Sequence, residues 1–302
     1  MNINENASKN KAVLYIIAGT ILIAIGPFFV EFSGLDAVTS SFYRMLIGAV
    51  AFLLIGRFQN KKLPSKQFCW LYVSAGLMTT VDLFCCNQSI LYIGSGLSTV
   101  LSNLEVLFLL LIGATVFKEK LDRTFPLTCL LIVAGIGLLI KPYYHQMGPN
   151  FLPGIGFAIV ASFIFSIYLL LLKMISRKNP ETSTVVNLGV ICAIGATILA
   201  TVMAFLPNSS FSLPSNLNAV VCVIIYSLMS QVCGWWLISQ GMITINLSTS
   251  GVLFLVQPAL TFAGDCLFLG RNCEVYQITG CLILLATVYK TIQAEERKKE
   301  VA

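Results

Sequence analysis

Charge is what this sequence has least of. Only 11% of its 302 residues are Asp, Glu, Lys or Arg, against 57% hydrophobic, whereas a typical soluble domain is about a quarter charged. No soluble surface can be built from that composition. There is one histidine, His145, placed in a loop, and the ten cysteines form no CxxC pair. Zinc-ligand spacing is therefore missing, and Cys69, Cys85, Cys86, Cys129, Cys192, Cys222, Cys233, Cys266, Cys273 and Cys281 read as small buried apolar residues. No metal or cofactor is expected. A secretory signal is missing too: Lys9 and Lys11 precede an apolar run to Val30 that is too long for an h-region and lacks an A-x-A site, so it reads as a first spanning helix. The charged tail Ala294–Glu300 is too short for a domain and reads as a soluble or lipid-facing end.

What the chain does have is apolar runs of about 20 residues from end to end, as a helical membrane protein requires. Ten segments are expected, at 12–32, 36–57, 67–92, 95–117, 124–141, 151–173, 183–206, 217–241, 246–268 and 275–293. Pro64, Pro149, Pro180, Pro207 and Pro214 fall in the connections, where a missing backbone donor costs least, while Pro27 and Pro258 are expected to kink their helices. The net charge of +6 is read by location and not as a nucleic-acid footprint. With the N-terminus inside, Lys9, Lys11, Arg57, Lys61, Lys62, Lys66, Lys118, Lys120, Arg123, Lys173, Arg177, Lys178, Lys290, Arg297, Lys298 and Lys299 share the cytoplasmic face, and only Lys141 and Arg271 lie opposite. Both termini are expected in the cytoplasm, and the protein in the inner (cytoplasmic) membrane as a multi-pass chain in the lipid bilayer.

The chain also repeats itself. TCLLIVA (Thr128–Ala134) returns as GCLILLA (Gly280–Ala286), so that Cys129 and Cys281 lie 152 apart, and the same offset pairs Gln88 with Gln240 and Glu105 with Gln257. LST at Leu97–Thr99 and Leu247–Thr249 gives a competing offset of 150, which covers fewer helices. Five helices per copy is odd, so the second copy is expected to be inverted. Inverted repeats are characteristic of secondary transporters, with the substrate near the midplane where the copies meet.

The fourth segment reads NLEVLFLLLIGATVFKEKL and the ninth reads FLVQPALTFAGDCLFLGRNCEVYQITG. These resemble the EamA-like ten-helix branch of the drug/metabolite transporter superfamily, whose fourth and ninth helices typically read like LEPVFAALLA…LGE.L…Q..G. Each copy here keeps half of the Glu-Pro pair, Glu105 being followed by Val106 and Gln257 by Pro258. Glu119 matches the family's acid at the cytoplasmic end of helix 4, Arg271 replaces its equivalent in the second copy, and Arg44 in SFYRMLIGA matches an arginine often seen in helix 2. The resemblance spans essentially the whole chain. It implies a transporter with a central cavity open alternately to each side, moving small metabolites such as amino acids; the departures at Val106 and Arg271 weaken any transfer of substrate or coupling details.

Ionisable side chains at membrane depth are costly and usually mark a pathway or a helix-joining contact. Arg44, Asp82 and Glu105 lie eight, ten and nine residues from Asp36, Tyr92 and Gly96, or about 12–15 Å below the outer helix ends at about 1.5 Å per residue. They form a candidate buried cluster in which one base faces two acids. A static salt bridge is one reading. The other is a substrate and coupling site, whose surplus negative charge needs a proton or a substrate ammonium to offset it. Gln257, Trp235, Trp236, Tyr168, Asn87 and Gln88 are further lining candidates, and of the two adjacent tryptophans only one can easily face a cavity. Glu31 and Asp36 give the outer mouth a negative field or are simply solvated loop acids, Asp265 reaches water or Arg271, and Glu119 reads as a cytoplasmic anchor.

The expectation is an all-α integral membrane protein of ten transmembrane helices arranged as two inverted five-helix repeats, with residues 1–145 and 146–294 as the repeats and 295–302 as a short cytoplasmic tail. Its function is expected to be secondary active transport of an amino acid or related small zwitterion or cation, with proton coupling. An exporter of drug-like or nucleoside- or S-adenosylmethionine-like compounds is the alternative. A polytopic enzyme or a channel is the rival class: enzymes usually show paired histidines or a phosphate motif, and channels do not need an inverted repeat. No nucleic acid partner is expected, and oligomeric state and direction of transport are not legible.

Overall fold

Two of the long apolar segments contain a proline near the middle, and the structure breaks the helix at both. The structure is a computed structural model and describes residues 3–118, 125–140, 148–205, 216–268 and 274–301. The described residues form α1 (Ile3–Ala24), α2 (Gly26–Ser33), α3 (Ala37–Phe58), α4 (Cys69–Ile93), α5 (Ser95–Ser102), α6 (Glu105–Thr115), α7 (Phe125–Ile140), α8 (Phe151–Lys178) and α9 (Thr184–Phe205). They continue with α10 (Leu217–Ile225), a π-helical stretch Tyr226–Gly234, α11 (Trp235–Thr244), α12 (Leu247–Phe254), α13 (Val256–Phe268) and α14 (Val275–Val301). Glu119, Lys120, Arg123, Lys141, His145, Pro207, Pro214, Arg271 and Cys273, and the side chain of Asp265, lie outside the described residues.

Eight helical stretches are long and apolar enough to cross a membrane, among them Ser8–Ser33 and Ser95–Thr115, each of which runs across a break. Two more, Pro126–Leu139 and Val275–Thr291, are apolar but shorter, and they coincide with the fifth and tenth expected segments. The protein is thus a helical multi-pass membrane protein.

The breaks have separate causes. Pro27 and Pro258 sit in the first turn of α2 and α13, where the missing N–H costs nothing, and the preceding helices end just before them, at Ala24 and Phe254. Between α5 and α6 there is no proline. Instead Asn103 donates from Nδ2 to the Thr99 carbonyl at 2.6 Å, and the next turn tightens into i→i+3 bonds, Val106 N to Asn103 O at 3.2 Å and Leu107 N to Leu104 O at 3.0 Å. The Thr99 carbonyl also keeps its backbone bond from Asn103 N at 3.2 Å, so the side chain adds a second donor there and the ladder changes register only in the turn that follows. At Pro27 and Pro258 the helices are interrupted for a single residue, Ile25 and Leu255, whose backbone stays right-handed helical, and the interruption at Asn103 is an addition to the expectation.

The helices pack mainly as pairs: α4 with α8, α3 with α9, α1 with α11, α7 with α14, and α6 with α12. Small residues set the closest approaches, as lipid-embedded helices require. A Cβ on Gly280 would lie 2.7 Å from the Gly135 carbonyl oxygen, whereas one on Gly156 would meet nothing within 4 Å. Gly280→Ala is therefore expected to force α7 and α14 apart and lower stability by about 1–3 kcal/mol, read as a fall in Tm of the purified protein. Gly156→Ala should leave Tm unchanged or raise it slightly. Equal losses at both positions would contradict this packing.

Candidate functional site

Arg44 projects from the middle of α3 and is 8% exposed. Its Nε donates to Gln231 Oε1 at 2.8 Å and its Nη1 donates to the Tyr226 hydroxyl. The guanidinium also stacks on the Tyr226 ring, Cζ lying 4.6 Å from the centroid. No acid among the described residues lies within ion-pair distance of it. A static Arg44–carboxylate salt bridge is thus absent, because two neutral side chains of the π-helical stretch hold the guanidinium instead.

The two acids are nevertheless its neighbours. Asp82, on α4, lies in the field of Arg44, and Glu105, the first residue of α6, lies in the field of Asp82. Neither carboxylate makes a hydrogen bond or ion pair to a described residue, yet neither is sealed from solvent as the hydroxyls of Ser89 and Ser98 are. The same holds for Arg44 Nη2, which has no partner and is not sealed. A buried charge without a partner is tolerable only where water or a ligand reaches it. Glu105 gains further from its place in the first turn of α6, beside the positive end of a half-helix.

The other candidates divide. Tyr168 on α8 is buried in the field of Arg44 and Asp82, its hydroxyl has no described partner and is not sealed, and its ring meets Trp235 edge-on at 5.1 Å. Trp236 turns the other way, is 37% exposed and pairs with Tyr15 at 6.3 Å. Asn87 is fully buried between Ser41, to which its Nδ2 donates at 3.0 Å, and Tyr226, whose hydroxyl donates to its Oδ1 at 3.4 Å. It braces the Arg44 cage from α4. Gln88 and Gln257 are half-buried and make no hydrogen bond to a described residue.

These helices, broken within the membrane around charged side chains, match known proteins along nearly their whole length. The model of the EamA-like transporter family matches residues 10–141 and again 152–292. The chain belongs to the EamA-like transporter family. Relatives include an uncharacterized transporter of Haemophilus influenzae, 24% identical over 76% of this chain and 74% of that one, and another of Bacillus subtilis, 20% identical over 98% and 94%. An uncharacterized vacuolar membrane protein of Saccharomyces cerevisiae is 21% identical over 78% of this chain and 62% of its own length. A crystal structure with a TM-score of 0.77, 16% identical, covers 96% of this chain and 99% of that one, which establishes the shared fold. The family and these relatives are named as transporters or membrane proteins, and a transporter is not an enzyme class.

In this EamA-like chain, reasoning from sequence missed Tyr226 and Gln231, the two residues that touch Arg44. It placed Lys173 at the end of the sixth segment, on the cytoplasmic face, without expecting it to be buried. The structure buries Lys173 on α8, where Nζ donates to the Ile245 carbonyl just past α11 and lies 5.9 Å from the Phe117 ring centroid. A lysine at a helix C-terminus satisfies a carbonyl that the helix leaves unpaired. Glu31 and Asp36 are capping groups: Asp36 Oδ1 accepts from Val38 N at 3.0 Å and Thr39 N at 2.9 Å, and Glu31 Oε2 accepts from Ser95 N at 3.4 Å. Eight cysteines are free, but Cys266 is disulfide-bonded, which overturns its reading as an apolar filler; its partner is not among the described residues.

Proposed function

We propose that the protein is a secondary active transporter that carries a small zwitterion, an amino acid or a close relative, across the cytoplasmic membrane by alternating access together with a proton. One observation carries this reading: Arg44 Nη2 and the carboxylates of Asp82 and Glu105 make no hydrogen bond or ion pair to a described residue, although Arg44 and Glu105 are buried within the helical bundle. A substrate carboxylate would take the guanidinium edge, through the strong charge-assisted contact that arginine makes with carboxylates. A substrate ammonium would take one acid, and a proton the other. The aromatic group of Phe165, Tyr168, Trp235 and Phe254 beside the site favours, as the second reading, a substrate with a flat ring such as a nucleoside-like compound.

The architecture we propose has ten spans, counting α7 and α14, in two inverted halves at 1–145 and 146–294, followed by the tail at 295–302. Three features support it. The family model matches the two halves separately. The break at Asn103 and the break at Leu255 stand 152 residues apart, the offset of the sequence repeat. Interrupted helices meeting at midplane are the usual substrate-binding device of inverted-repeat transporters. With both termini cytoplasmic, Cys266 falls near the outer face, where a disulfide persists.

Two experiments bear on this. Thermal-shift measurements on the purified protein with the twenty L-amino acids and with nucleosides are expected to give a stabilising amino acid, since a ligand of the native state raises Tm; stabilisation by nucleosides alone would favour the second reading. In right-side-out vesicles, a membrane-impermeant maleimide, read by peptide mass spectrometry, should modify Cys266 only after reduction. Modification of Cys266 from the opposite side of the membrane would reverse the orientation.

A further inference from the structure

The stretch Tyr226–Gly234 is π-helical over nine residues in the middle of an otherwise α-helical span. π-helices are rare, appear mostly as single turns and concentrate at functional sites. This one has a geometric consequence. On an α-helix at about 100° per residue, positions 226 and 231 would point about 140° apart. In a π-helix the backbone bond runs from i to i+5, so residues five apart come round to the same side. With that register the Tyr226 hydroxyl and Gln231 Oε1 both meet one guanidinium, that of Arg44.

The seats for both side chains are cut by glycines on the facing helices. A Cβ on Gly48, one turn from Arg44 on α3, would lie 2.7 Å from Gln231 Cγ, and one on Gly26, at the start of α2, would lie 2.8 Å from Tyr226 Cε2. Behind them, Gln231 Nε2 contacts Cys192 Sγ at 3.2 Å and the Tyr226 hydroxyl meets Asn87. The guanidinium is therefore fixed on its Nε and Nη1 and against a ring face, and Nη2 is the terminal nitrogen left over.

We infer that the π-helical stretch positions Arg44, with Tyr226 and Gln231 as positioning residues that occupy one side of the guanidinium and aim Nη2 at the carboxylate of the substrate. The inference rests on the zwitterion reading above and adds what gives the site its preference for a carboxylate. It also makes Gly48 a specificity position, although that residue has no side chain to touch anything. Nη1 gives one of its two N–H groups to Tyr226, so Nη2 is the terminal nitrogen with both N–H groups available to the substrate carboxylate.

The test compares two ligands that differ only in that group: the L-amino acid giving the largest thermal shift with the wild type, and the amine formed by removing its carboxylate. Their affinities are measured by calorimetry on the full chain in nanodiscs, for wild type, Tyr226→Phe, Gln231→Leu and Gly48→Ala. Each substitution is expected to weaken the amino acid about tenfold, the loss of one hydrogen bond's orientation at about 1.4 kcal/mol, and to change the amine less than about twofold. Gly48→Ala removes no polar group, so its effect reads position alone. Should the amino acid and the amine weaken together, or neither change, the positioning role is overturned while the zwitterion reading stands. Should the wild type bind no amino acid, the zwitterion reading falls and this inference with it.

Discussion

Arg44→Lys is expected to reduce transport to about 1% of wild type or below, the largest effect of any substitution considered. Lysine keeps the charge, but its ammonium is a point donor on a flexible stem, whereas the guanidinium is a planar fork. In the native site the fork serves Gln231 on Nε and Tyr226 on Nη1, and it stacks on the Tyr226 ring at 4.6 Å. An ammonium reaching the same depth satisfies at most some of these and has no planar face to stack. Each charge-assisted hydrogen bond lost costs about 1.5–3 kcal/mol, and about 2.7 kcal/mol corresponds to a hundredfold change. The measurement is initial uptake in proteoliposomes with matched protein content, together with Tm. Transport above about a tenth of wild type would show that the fork geometry is dispensable.

Glu105→Gln and Asp82→Asn are each expected to uncouple transport from the proton gradient. Charge counting gives the sign. Arg44 with two carboxylates leaves one surplus negative charge and a zwitterion adds none, so the loaded site crosses the membrane neutral only with a proton. Net coupling requires in addition that the proton leave with the substrate and the empty site return without it. Moving net charge through the hydrocarbon core is costly, which makes the neutral complex the one that reorients. In wild-type proteoliposomes, acidifying the side from which the substrate departs should accelerate its movement. With either acid neutralised, Arg44 balances the remaining one and the accelerating effect of the gradient should vanish, while exchange at equal pH persists at a reduced rate. Wild-type sensitivity to the gradient in both variants would refute a coupling role for the pair.

Much of this molecule was legible beforehand, for physical reasons. A membrane helix announces itself by length and apolarity, so the segments could be placed, and Pro27 and Pro258 advertised their breaks through a missing N–H. The candidate cluster was legible in its charges: Arg44, Asp82 and Glu105 are costly at membrane depth, and counting residues at helical rise put them at one level.

The rest depended on features that periodicity does not encode. Tyr226 and Gln231 were invisible because α-helical spacing sends them to different sides, and nothing in YSLMSQVCG signals the change of register. The Asn103 break was missed because nothing in the apolar pattern marks the turn of i→i+3 bonds that follows Asn103. Lys173, read as the cytoplasmic end of the sixth segment, lies buried because its long apolar stem lets it reach and cap Ile245. Sequence adjacency of Trp235 and Trp236 showed that only one could face inward, and the structure selects Trp235.

The central claim is that the space among Arg44, Asp82 and Glu105 holds a zwitterion and moves it by alternating access. Solute counterflow tests it most directly: proteoliposomes loaded with an unlabelled L-amino acid identified by thermal shift, diluted into its labelled form at equal pH on both sides. Wild-type protein should produce a transient accumulation of label above the external concentration, and Arg44→Lys should produce none. No overshoot by the wild type with any stabilising amino acid, or an equal overshoot by Arg44→Lys, would contradict the account.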